Sequence, residues 1–79
     1  MNQKKLFSTY DLGLAAALMA SGFGANVVPD PTVTKKEFTF EDSAKLQKVI
    51  NAFWQDTLKV PAQKYFVCIK ALKNRIYSQ

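Results

Sequence analysis

"FSTYDLGLAAALMASG", residues 7–22, decides how the rest of the chain is read. From Leu12 to Ala20 it carries no polar side chain. One reading is a secretory leader. Lys4 and Lys5 would be its basic start, Leu12–Ala20 its apolar stretch, and Ala20-Ser21-Gly22 its small-residue cleavage site. Asp11, at the edge of the apolar run, weighs against this. The run is also far short of the ~20 residues that cross a bilayer. The better-supported reading is a short buried helix. Ser8 would cap its start, with Asp11 three residues on in a capping-box arrangement. Gly22 would supply the residue just past its end. Leu12, Ala15, Ala16 and Met19 form one stripe, and Leu14, Ala17 and Leu18 another. A helix apolar on all sides is covered on most of them, so this helix is expected at the centre of the fold.

The remaining elements follow from it. Residues 22–42 read as a β-hairpin, with Phe23–Val28 as one arm and Thr34–Phe40 as the other. Pro29 and Pro31 mark the turn. Phe38 and Phe40 alternate with Glu37 and Thr39, the period of a half-buried strand. An amphipathic helix follows over about Ser43–Gln55, with Asp42 as N-cap. Leu46, Val49, Ile50 and Phe53 face inward, and Trp54 lies at the edge of the stripe. "DTLKV", residues 56–60, suggests a short third strand with Leu58 and Val60 inward. Pro61 then opens a last helix running to about Tyr77. The expected fold is α+β, one domain over residues 1–79. Its order is α-β-β-α-(β)-α, a β-hairpin packed on three helices.

Several chemistries have no residues to carry them. The chain has no histidine, which removes the commonest general base and zinc ligand together. The single cysteine, Cys68, cannot form an internal disulfide and suits a reducing, cytoplasmic setting. No phosphate-binding loop or carboxylate pair is spaced for acid–base work. Glu41-Asp42 is better explained as a helix start. The expectation is a protein that is not an enzyme, with no catalytic residues, cofactor, metal or small-molecule substrate.

The formal net charge is +5, and its distribution matters more than its size. Up to Asp56, six lysines balance all six acids; beyond it Lys59, Lys64, Lys70, Lys73 and Arg75 face no acid. On a wheel of 100° per residue, the last helix turns Ala62, Tyr65, Phe66, Ile69, Leu72 and Ile76 to one arc, read as the core face. Lys64 and Arg75 lie at one border, beside Cys68. Lys70 and Lys73 lie at the other, beside Tyr77, with the Lys73 stem along the core.

These residues admit three readings. The cations would favour the negative end of the helix dipole without any partner. They would equally contact phosphates of a nucleic acid, with Tyr77 stacking on a base. The site residues on that reading are Lys59, Lys64, Lys70, Lys73, Arg75 and Tyr77. One arginine among them implies weak sequence preference, because lysine reads bases poorly. Alternatively Trp54, Val67 and Tyr77 would meet a larger protein or a second copy, giving a homo-oligomer. A membrane surface fits least, because the apolar face of the last helix suits a core better. Nucleic acid is the first expectation and a protein partner the second.

Two segments also carry a resemblance. Asp11-Leu12, Ala15-Ala16 and Gly22 in the first, Phe38 and Phe40 between, and Leu72-Lys73 with Ile76-Tyr77 at the end resemble a family of short uncharacterised proteins of bacteria, phages and mobile elements. The resemblance spans nearly the whole chain and includes no chemical signature. It implies a stand-alone intracellular protein whose first helix is structural, and a nucleic-acid or host-protein target.

Overall fold

A computed structural model describes residues 5–29 and 36–77. In chain order they form β1 (Leu6–Thr9), α1 (Leu12–Ala20), β2 (Asn26–Pro29), β3 (Lys36–Glu41), α2 (Ala44–Trp54) and α3 (Ala62–Tyr77). The α+β class and the expected order of helices and hairpin arms hold. The strand not foreseen is β1. It makes the hairpin a three-stranded antiparallel sheet of order β1-β3-β2.

Register fixes which side chains face the core. Phe7 pairs with Phe40, and both Thr9 and Val27 pair with Phe38. Directly paired residues share a face, so these side chains form the inner surface. On the other face Leu6, Ser8, Asn26, Val28 and Glu41 are exposed, Glu37 is half-buried, and Thr39, in the middle of the central strand, is buried. The sheet therefore has one dry side and one wet side, the usual economy of antiparallel sheets. The molecule measures 18 Å along its shortest axis, room for one helical layer on one sheet.

The centre is α1, as the sequence predicts. Leu14, Ala15, Ala16, Ala17, Leu18 and Ala20 are all buried. With Phe38, Phe40, Leu46, Ile50 and Leu72 they bring the sheet and all three helices into the core. The start of α1 corrects the sequence reading. Its N-cap is Asp11, whose Oδ1 accepts the Leu14 N–H at 3.0 Å. Ser8 instead lies in β1, opposite Thr39. A carboxylate is at least as good an N-cap acceptor as a hydroxyl, and strand pairing claims the residues before it. Likewise α2 is capped by Ser43, whose Oγ accepts the Leu46 N–H at 3.0 Å. Asp42, the expected cap, accepts the Gln47 side-chain amide.

Both α1 and α2 end in the same hydrogen-bonded motif. Gly22 N–H donates to Met19 O and Phe23 N–H to Leu18 O; Asp56 N–H donates to Phe53 O and Thr57 N–H to Ala52 O. This is the Schellman arrangement, which needs a left-handed residue just past the helix end. Gly22 supplies it at φ 104° without steric cost, but Asp56 does so at φ 62° with a Cβ. The cap also explains why residues 57–60 are not a strand. Thr57 and Leu58 both donate to the Ala52 carbonyl, so the first two amides of the segment are already engaged in the helix end. Leu58 and Val60 are still half-buried, as the alternation required. The expected arms shift slightly to Asn26–Pro29 and Lys36–Glu41. Pro29 ends a strand instead of sitting in the turn, and Pro31 and Thr34 lie outside the described residues.

Two substitutions test this account by urea unfolding. Leu72→Ala is expected to cost ~2–5 kcal/mol, because Leu72 is fully buried and its truncation leaves a cavity. A cost under ~1 kcal/mol, the range of well-tolerated core swaps, would mean that α3 packs by another face. Asp56→Gly is expected to raise stability by ~0.5–1 kcal/mol by relieving the left-handed conformation.

Candidate nucleic-acid interface

The candidate surface is built on α3, so its geometry begins with what anchors that helix. Its first turn closes with Tyr65 N–H donating to Pro61 O. Tyr65, Cys68, Ile69, Leu72 and Ile76 pack on the core, and α3 packs most extensively against α1. The Tyr65 hydroxyl donates to the backbone carbonyl of Gly13 at 3.2 Å. This bond locks the first half of α3 onto the centre of the molecule. Beside it Ala17, Phe53, Asp56, Leu58, Val60 and Tyr65 line a pocket of about 230 Å³. Among the described residues no three acids or thiols are grouped to hold a metal ion.

Two residues leave the expected core face. Phe66 is 54% exposed, and Ala62 is exposed as well. The buried arc centres on Leu72, Tyr65 and Ile76, which places both residues beyond its edge. Phe66 is the functional candidate that the sequence reading missed. The signal was its spacing, because Phe66, Lys70, Lys73 and Tyr77 stand at i, i+4, i+7 and i+11. Positions so spaced share one side of a helix.

All four are exposed, and Tyr77 is 80% so. Lys70 Nζ sits 5.1 Å from the centroid of the Phe66 ring, within cation–π range. Lys73, expected to lay its stem on the core, is exposed. The result is a stripe that runs aromatic, lysine, lysine, aromatic along about 16 Å of helix.

The other sequence candidates do not join that stripe. Arg75 lies on the opposite border, where its guanidinium donates to the Ala25 carbonyl at 3.0 Å. It ties α3 to the connection between α1 and β2. Lys64 is exposed on the Arg75 border, and Lys59 is exposed in the connection before α3. Of the residues named for a protein partner, Trp54 is 62% and Val67 53% exposed. Trp54 stands on α2, its ring edge-on to Phe53 at 4.9 Å between centroids. Among the described residues no helix is long and apolar enough to cross a membrane.

The stripe can supply two point charges and two aromatic faces to a ligand, without a bidentate donor. It bears no acid, because the chain has none beyond Asp56.

Comparison with known proteins adds one finding. Residues 4–78 match the model of a family described as a domain of unknown function, DUF5659. No curated protein and no solved structure matches.

The two borders of α3 differ in what their cations do, which predicts different costs on removal. Arg75→Ala is expected to lower unfolding stability by ~0.5–1.5 kcal/mol by removing its hydrogen bond. Lys73→Ala should stay within ~0.5 kcal/mol of the parent, as surface changes do. Equal effects in urea titrations would show that the bond to Ala25 contributes nothing.

Proposed function

We propose that this chain, which belongs to the DUF5659 family, is a small non-enzymatic accessory protein that binds nucleic acid through the basic surface of α3 with weak sequence preference. The observation that carries this reading is the charge layout. The whole net charge lies beyond Asp56, and α3 holds most of it on a helix already fixed by its other face. An ordinary exposed helix mixes signs to gain i,i+4 pairs. A surface that omits acids is adapted to an anion, and phosphates bound by lysine give affinity without base readout. The single arginine of α3 is engaged with Ala25, which further favours a non-specific mode. A cytoplasmic location, in a phage or mobile-element setting, belongs to the same proposal. It rests on the lone thiol and on the motifs at the two ends of the chain.

A second reading is a docking surface for a larger protein or a second copy, favoured by the exposure of Trp54, Val67 and Tyr77. A solution mass above that of one chain, or a stable partner retained from the native host with no oligonucleotide affinity, would favour it.

The nucleic-acid reading is tested by binding across salt. Log affinity for a single strand should fall linearly with log salt. Changing Lys70 and Lys73 together to Gln should reduce the slope by about 1.4, or ~0.7 for each phosphate that is no longer neutralised. Arg75 stays intact in this variant, so folding is not disturbed. Undetectable binding at low salt, or an unchanged slope, would rule the reading out.

A further inference from the structure

We infer that the stripe Phe66, Lys70, Lys73 and Tyr77 takes a single strand in preference to a duplex, with one unpaired base stacked on each end ring. This rests on the nucleic-acid reading and specifies its ligand. Charge alone does not choose between the two forms, because both present phosphates. The rings do choose. In a duplex the base faces are hidden in the stack, and only edges and backbone remain. Reading those edges needs bidentate donors such as arginine, and none lies on the stripe. Phe66 and Tyr77 would then be two large apolar surfaces in water, gaining nothing from the ligand. A single strand offers π-faces at every base, and stacking on aromatic rings is its usual mode of capture.

The geometry suits such a strand. The two rings are eleven residues apart on one side of α3, about 16 Å at 1.5 Å per residue. A strand stacked at ~3.4 Å per nucleotide covers that distance in about five nucleotides. Lys70 and Lys73 stand between the rings, where the intervening phosphates would pass. Lys70 also lies over Phe66, which restrains the ring before any ligand arrives. The lysine must move aside or share the face when a base stacks. Core packing of Leu72, Ile69 and Ile76 along the adjoining inner arc of the helix keeps the spacing fixed.

The experiment compares four probes of one length by fluorescence anisotropy: a mixed-sequence single-stranded DNA, its duplex, an abasic strand with the same phosphates, and an acidic peptide of equal charge. The expected order places the single strand tightest, about tenfold or more over the abasic strand. Phe66→Leu and Tyr77→Leu keep apolar bulk but remove the π-face. Each should weaken the single strand by about fivefold or more and leave the abasic strand unchanged. Phe66→Trp should retain or improve binding. Both rings are exposed, so these variants should fold as the parent does, which circular dichroism checks. Equal affinity for abasic strand, duplex and single strand would overturn this inference while leaving the charge-based reading in place. So would leucine variants that bind the single strand normally. An acidic peptide bound as tightly as the single strand would overturn both and assign the surface to a protein. No binding to any nucleic-acid probe would also end both.

Discussion

The constraint on which this molecule turns is that α1 has nothing polar to show to water. From Leu12 to Ala20 every side chain is apolar, so the helix is stable only where other elements cover it. One side receives the sheet, through Phe38 and Phe40, and the flanks receive α2 and α3. Small residues let the neighbours come close. Ala15, Ala16 and Ala17 are buried to the backbone. A Cβ placed on Gly13 would stand 3.3 Å from Asp11 Oδ1 and 3.4 Å from the Tyr65 hydroxyl. Glycine at this position leaves room chiefly for the capping carboxylate, while the Tyr65 hydroxyl would meet such a Cβ at about ordinary contact distance. Both ends of α1 are closed as well, by the Asp11 carboxylate and by the turn at Gly22. A buried helix leaves few backbone groups for water to satisfy.

Covering one helix determines how much of the others stays free. The nine residues of α1 are about 14 Å long, whereas the sixteen of α3 extend about 24 Å. Only Leu72 of α3 is fully buried. The other residues that touch the core are half-buried rows on either side of it. α3 therefore serves as a wall along one arc and is available to solvent along the rest. The sheet is in the same position, with its outer face open. These surfaces remain because the core is too small to use more of either element. Phe66 and Tyr77 lie on such a surplus surface, and their exposure is not required by the packing.

What could be read from the sequence follows the range of the interactions. The amphipathic pattern of α2 and the apolar character of α1 are local properties, and both survive in the structure. The alternation of Phe38 and Phe40 is equally local and correctly assigns the inner face of β3. Strand β1 is different. Its four residues carry no pattern that separates a strand from a helix entrance, and their state is set by pairing with β3, 29 to 35 residues away. The Ser8–Asp11 spacing therefore reads as a capping box when only Asp11 caps. Residues 57–60 fail in the opposite sense. Their alternation is real and does turn Leu58 and Val60 inward, but the end of α2 takes the Thr57 and Leu58 amides first. On α3, a wheel alone cannot say where the buried arc stops. Ile69 and Phe66 differ by 60° on it, and the width of α1 decides that the first is covered and the second is not.

That narrow arc gives the charge on α3 its structure. Had the helix been buried more deeply, Lys70 and Lys73 would have been forced to the rim with stems along the core, and Phe66 would have been a packing residue. Because burial stops short, the two lysines and the two rings occupy a single line in water. Arg75, on the other border, is drawn to a backbone carbonyl. Its planar, multi-donor group can serve a fixed acceptor better than an ammonium can. The two lysines of the stripe have long flexible stems and present their ammonium groups to solvent as point charges. Arginine thus contributes to the fold and lysine is left at the surface. A ligand on that surface meets charge and aromatic faces but no fork-shaped donor. On the proposed reading, a strand held there is selected by its charge and its unpaired bases, and little by their sequence.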